Sequence, residues 1–231
     1  MRPATALRTP VDDKANRMRH SFLLAFALLA MAAAAETPEQ RADAEIDDLR
    51  AYQLVSRDAR ATARIETIFN RVARAAGTAP QFRVLIANSP AFANAESHAN
   101  GVIVITEQFA RFPEADIAFV LAHELAHLFY GHPRQQTLLS EQLRGRESAS
   151  SFQLRVAFGQ LPAEVISKIR GNETDADRLA CNWVIAAGYA FDGRRFFQRM
   201  SRQPSANPGG SPSHPSYAQR VSDLQARGCA K

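Results

Sequence analysis

The chain has 231 residues, 46% of them hydrophobic and 22% charged, with no low-complexity tract and no internal repeat. That composition fits one globular domain, or one domain with an appendage. Of the net charge of +5, Arg2, Arg8, Lys14, Arg17 and Arg19 against Asp12 and Asp13 place +3 in the first 35 residues and leave +2 on the rest. No basic stripe interleaved with aromatics follows, so no nucleic-acid partner is expected.

Met18-Arg19-His20, then an apolar core from Phe22 to Ala30, then Ala33-Ala34-Ala35 before Glu36, has the layout of a secretory signal. The expected organisation is an N-terminal extension and signal peptide over 1–35, with Met18 as the start, and a single domain over 36–231. The apolar run is short for a bilayer span; a retained anchor is the competing reading. No cysteine lies near the cleavage point and no later segment is apolar enough to cross a membrane. The mature chain is expected to be periplasmic or otherwise secreted. In an oxidising compartment Cys181 and Cys229 can pair, closing a loop worth about 4 kcal/mol in the chain-entropy model; the alternative is two unpaired thiols.

From about Thr37 to Ala76 the sequence reads as helix, acidic early, basic late and ended by Gly77. Gln81 to Ala87 alternates like a strand. After Asn88-Ser89-Pro90, the Asn100-Gly101 turn signal precedes a second strand, Val102 to Thr106, so a small hairpin is expected. Val102, Ile103 and Val104 read either as a core strand or as an edge strand that holds an extended peptide by backbone hydrogen bonds. His98 is expected to be solvated. Glu107 to Arg111 predicts a short helix broken by Pro113, and Glu114 and Asp116 then open the next helix.

That helix carries His123-Glu124-Leu125-Ala126-His127. Residues four apart on a helix lie one turn up the same face, so both imidazoles can meet one zinc ion at about 2.0–2.1 Å, with Glu124 beside the open position. A carboxylate there can take a proton from water whose pKa the metal lowers. Phe119, Val120, Leu121, Leu125, Leu128 and Phe129 make this helix apolar nearly all round, and three ionisable groups inside it would be costly without a partner. His132, nine residues after His123, falls about 180° round an uninterrupted helix and is not expected to be a ligand. Tyr130 and Pro133 stand where a longer motif ending in a third histidine needs Gly and His. The third ligand must therefore come from elsewhere.

Arg134 to Arg170 reads as mostly helical and polar, with Gly145–Ser151 suited to a lid or a groove wall. Gly171-Asn172 is expected to open a helix that runs to Ala187, with Leu179, Val184 and Ile185 on its buried face. Glu173 and Asp177 share a face of it: Glu173 as a third ligand with Asp177 orienting a ligating histidine, or both as acidic residues favoured at a helix start. Phe191 to Met200 reads as helix and Gln203 to Pro212 as a Pro/Gly/Ser loop; a terminal helix follows His214-Pro215-Ser216. His214 can reach the open position, either as a transition-state donor or as a removable fourth ligand. Arg220 can pair with Asp177 or hold the oxyanion.

His123 to His127, Glu173 with Asp177, and His214-Pro215-Ser216 with Arg220, together with Asn94-Ala95 and the Gly101–Thr106 strand, resemble the HtpX-like zinc metalloendopeptidases, a family that includes the CAAX prenyl protease and the soluble periplasmic BepA-like enzymes. The resemblance spans roughly residues 60–228. It implies an α+β, mainly helical, gluzincin-like domain with a small hairpin beside the H-E-x-x-H helix. It implies one zinc per chain on His123, His127 and Glu173, and Glu124 as general base and acid. The implied activity is endopeptidase cleavage of misfolded or extended exported proteins. The chain lacks the transmembrane helices of the HtpX type and any recognisable repeat region, and Glu96 is charged where the family pattern is typically apolar. The expected function is thus a zinc metalloendopeptidase of protein quality control, acting on polypeptides and without a stable membrane span after signal cleavage. The alternative is a zinc-stabilised chaperone or assembly factor whose site is capped by His214.

Overall fold

The computed structural model describes residues 36–78, 81–88, 93–144, 162–204 and 206–230; the leader and the Gly145–Ser151 segment lie outside them. Two early helices, α1 (Pro38–Ala51) and α2 (Ala59–Ala75), stand where one was expected. The chain breaks because Gln53 takes a left-handed φ of 55° and Val55 leaves the helix to bridge Ala87. Asp58 then restarts it, its carboxylate accepting from the N–H groups of Arg60 and Ala61. Ile65, Ile68, Phe69 and Val72 give α2 one buried face.

The sheet has three strands, β1 (Arg83–Ala87), β2 (Ala95–Ser97) and β3 (Val102–Thr106), in the order β1-β3-β2. The Asn100-Gly101 turn joins β2 to β3 as an antiparallel hairpin, and β1 runs parallel to β3 on the other side. Val102, Ile103 and Val104 therefore lie on the middle strand, with both ladders occupied and Ile103 fully buried. Val102 and Ile103 are core and Val104 is half-buried, and the edge-strand reading of them is corrected; the edge on the hairpin side is β2. A 3-10 turn, Glu107–Arg111, leads through Phe112 and Pro113 into α3 (Glu114–Tyr130).

Ile117 to Ala126 is buried at every position, so α3 has no solvent face over that run and its polar side chains must find partners inside. Gly131, at φ 68°, ends it in the left-handed conformation and lets α4 (His132–Arg144) start in a new direction. The main partner of α3 is α5, one continuous helix, Ala163–Ala186, passing straight through Gly171. Its buried face is Ile169, Glu173, Ala176, Asp177, Ala180, Cys181 and Val184, at helical spacing. Ile185 is 53% exposed, which corrects the face expected from the sequence. Alanines on both helices, Ala118, Ala122 and Ala126 facing inward on α3 and Ala176 and Ala180 on α5, favour close approach of the two axes.

The short α6 (Gly193–Met200) is capped by Asp192 and brings Phe196 onto Phe119, ring centres 5.3 Å apart. Its Arg199 grips the buried Asp116 of α3 through Nε and Nη2 at 2.5 and 2.7 Å. The last helix, α7 (Tyr217–Gln225), opens with a reciprocal Ser216–Gln219 cap. Cys181 on α5 and Cys229 beyond α7 are joined as a disulfide, Cα atoms 6.0 Å apart. Among the described residues no helix is long and apolar enough to cross a membrane.

Candidate metal centre and cleft

His123 and His127 present their Nε2 atoms to one another at 3.1 Å, and Glu173 approaches both at 3.4 Å, Oε2 to His123 and Oε1 to His127. All three side chains are buried. Glu173 sits well inside α5 rather than in its first turn, so the helix dipole does not account for it. Its Oε2 has no hydrogen-bond partner despite full burial.

Each histidine is oriented from behind. His123 Nδ1 lies 3.0 Å from Asp177 Oδ1. A carboxylate accepts, so Nδ1 carries the proton and Nε2 of the neutral ring offers its lone pair forward. Asp177 is itself clamped by Arg220, whose Nε and Nη2 donate to it at 2.7 and 2.6 Å while the guanidinium lies over Phe197. Of the two roles open to Arg220, the geometry supports pairing with Asp177.

His127 Nδ1 meets His132 Nδ1 at 2.9 Å. Burial, then the nearby charge of His127, pushes His132 down to about 4, so it is neutral and able to accept at Nδ1. His132 was expected to face away. The angular count fails because the helix ends at Gly131 and the chain folds back beneath His127. The glycine after the last periodic position was the available signal. His98 also departs from expectation: it is mostly buried, with Nδ1 3.2 Å from Glu45 on α1.

Two imidazole lone pairs and a carboxylate thus converge. Burial opposes charge on His123, but Asp177 and Glu173 outweigh it and raise the ring to about 10 in the metal-free chain. Burial likewise opposes charge on Glu173, yet His123 and His127 hold it well below the usual carboxylate range. The pocket calls for positive charge, as a proton or a metal ion. A tetrahedral ion with ligands at about 2.0–2.2 Å needs ligand atoms about 3.3–3.5 Å apart, close to the 3.1, 3.4 and 3.4 Å found. The orphaned Oε2, the donor set and these edges fit zinc.

Glu124 faces two cavities that meet at this centre. One, of about 460 Å³, is walled by Phe119, Phe196, Phe197 and Met200. The other, of about 510 Å³, runs along Ala95–Ser97 of β2 and past His132 and Gln136. His214 stands over both, Nε2 3.4 Å from Glu173 Oε2. The aromatic wall on α6 and the backing role of His132 are the parts sequence reasoning missed.

The sequence model of peptidase family M48 matches residues 59–228. No curated protein matches the chain.

Proposed function

Because the chain belongs to peptidase family M48, a family of zinc metallopeptidases, we propose that it is an exported zinc endopeptidase that cuts extended or misfolded polypeptides, in the role of protein quality control. The observation that carries this reading is the convergence of His123, His127 and the Glu173 carboxylate, its Oε2 without a hydrogen bond, beside Glu124 at the junction of two cavities.

His123, His127 and Glu173 would hold one zinc ion. When bound, the ion supplies Lewis acidity to the scissile carbonyl and lowers the pKa of water beside it. Glu124 takes the water's proton on its carboxylate and passes it to the departing amine nitrogen. The bonds Thr106 N–H to Asn94 O and His98 N–H to Val102 O fix the β2–β3 register. In that register Ala95 and Ser97 turn their peptide groups away from β3. An extended substrate adds to this edge as a further strand. The Phe119–Phe196–Phe197–Met200 cavity takes a bulky apolar side chain next to the cut bond. Export is supported by the Met18–Ala35 pattern and by the disulfide, which suits an oxidising compartment such as the periplasm.

The test is casein cleavage by protein lacking residues 1–35, with zinc content measured in parallel, beside Glu124→Gln. Zinc-loaded wild type that cuts, with Glu124→Gln loaded and inert, is the expected result. Stoichiometric zinc without cleavage in any form refutes the peptidase and leaves a zinc-stabilised chaperone.

A further inference from the structure

The two cavities that meet at the metal centre have walls of different kinds. His123, Glu124 and Glu173 border both, which places a cut bond at the junction. The aromatic cavity follows β2 no further than Ala95, whereas Glu96 and Ser97 border only the second cavity. Among the described residues no lysine or arginine lines that second cavity, and Glu96 is its one carboxylate besides Glu124 and Glu173. Arg134, next in sequence to the lining Pro133, is drawn to Glu39 at 3.0 Å.

Strand geometry decides what Glu96 can meet. It pairs with Val104 in the β2–β3 ladder, so its own peptide groups are taken. The peptide groups that face outward belong to Ala95 and Ser97, and these are the ones an added strand can use. An extended segment added antiparallel to them brings one of its residues directly opposite Glu96, with Cα atoms about 4.5 Å apart. The side chain of that residue stands on the same face as the Glu96 carboxylate, because side chains alternate along both strands. Glu96 is exposed while Ala95 and Ser97 are half-buried, so the carboxylate is within reach of an incoming side chain. An ionised carboxylate has about four acceptor positions, so a new donor adds to the bonds it already makes. Its field already acts on a neighbour. Burial opposes charge on His98, yet the bond to Glu45 and the charges of Glu96, Glu45 and Glu124 raise that ring above its ordinary value.

We infer that Glu96 is a specificity-determining residue: it selects substrates with lysine or arginine opposite it on the added strand, on the far side of the cut bond from the apolar residue, and turns away aspartate and glutamate there. The inference rests on the peptidase reading and deepens it by naming the substrate class. The selected sequence is thus two-sided, with a bulky apolar side chain in the Phe119–Phe196–Phe197–Met200 cavity and a basic one in the other. An opposite charge is favoured and a like charge repelled at the same position, so both contribute to discrimination.

The experiment uses the zinc-loaded mature chain and extended peptides in which Lys, Gln or Glu is placed at each position in turn. At one position, Lys is expected to give a kcat/KM roughly 2–5-fold above Gln and roughly 5–20-fold above Glu. The contrast is expected to shrink as salt is raised. The positions on either side, whose side chains point to the opposite face, are expected to show less of it. Glu96→Gln is expected to level the three peptides and Glu96→Lys to invert their order, with zinc content held. A Lys preference that is absent in wild type, or that survives Glu96→Gln, overturns the assignment. Binding of the same peptides to the zinc-loaded Glu124→Gln chain, read by fluorescence anisotropy, gives a readout without hydrolysis. There too Lys is expected to bind more tightly than Glu, and adding Glu96→Lys is expected to reverse that order. If no form cuts any peptide the peptidase reading fails, and the binding order still decides the role of Glu96. Peptides bound without regard to charge overturn the assignment alone; neither binding nor cutting overturns both.

Discussion

Asp177→Asn removes one negative charge and nothing else in size, yet it touches both the fold and the metal centre. Asp177 is 3% exposed and accepts one bond from His123 and two from Arg220. Burial disfavours its charge, but Arg220, then His123, hold its carboxyl below the usual range. Breaking a buried ion pair by removing one partner costs about 3–5 kcal/mol, which sets the expected loss in the metal-free chain. The amide also ceases to hold His123 Nδ1–H as firmly, and loss of such a backing group weakens metal binding about 10–100-fold. At zinc one hundred times the wild-type Kd, wild type gains about 2.7 kcal/mol from the metal, whereas the variant gains about 0.4–1.4 kcal/mol. Urea unfolding of both proteins, with zinc and with chelator, measures all four quantities. Arg199→Gln is the control, because it leaves Asp116 buried without its partner far from the metal ligands. It is expected to cost about 3–5 kcal/mol while the zinc-induced gain stays at the wild-type value. Equal zinc-induced gains in wild type and Asp177→Asn would refute the backing role.

Glu124→Gln is expected to lower kcat by roughly 10²–10⁴-fold with zinc content and melting temperature held, read by peptide hydrolysis and metal analysis. His132→Ala removes the acceptor behind His127 and is expected to weaken zinc binding about 10–100-fold in a competition titration with a chromophoric chelator. A paired Cys181→Ala, Cys229→Ala protein opens a 48-residue loop. About 4 kcal/mol of unfolded-state constraint is lost, and calorimetry should show a melting point lower by roughly 8–16 °C. Met200→Ala enlarges the aromatic cavity and is expected to shift cleavage in a peptide library toward larger apolar residues, with total casein cleavage retained.

The parts of the centre legible in the sequence are those that a single helix places. His123 with His127, and Glu173 with Asp177, share faces by spacing alone, and a helix keeps that relation whatever it packs on. What was not legible depends on where helices stop and on which strands meet. Gly171 was read as a helix start, yet α5 passes through it, since a helical glycine costs only about 1 kcal/mol and the buried face continues on both sides. Val102–Thr106 has the composition of an edge or a centre strand alike, and only the parallel arrival of β1 from before the hairpin makes it the centre. His132 was misplaced for want of one backbone angle at Gly131. The hydrogen bonds of Ser211 have no periodicity to read; they exist because the Gly210 turn brings Ser211 back under His214.

The Cys181–Cys229 bond closes a covalent ring over residues 181–229. His214 and Arg220 both lie inside that ring, as does the Pro/Gly/Ser loop from 203 to 212. A linear chain cut in that loop would shed its last segment, and with it the clamp on Asp177. The ringed chain keeps both pieces, still held by the disulfide and by the packing of α7 on α5 and α6. A peptidase is exposed to its own kind, and here a nick between 203 and 212 would leave Arg220 covalently tied to α5.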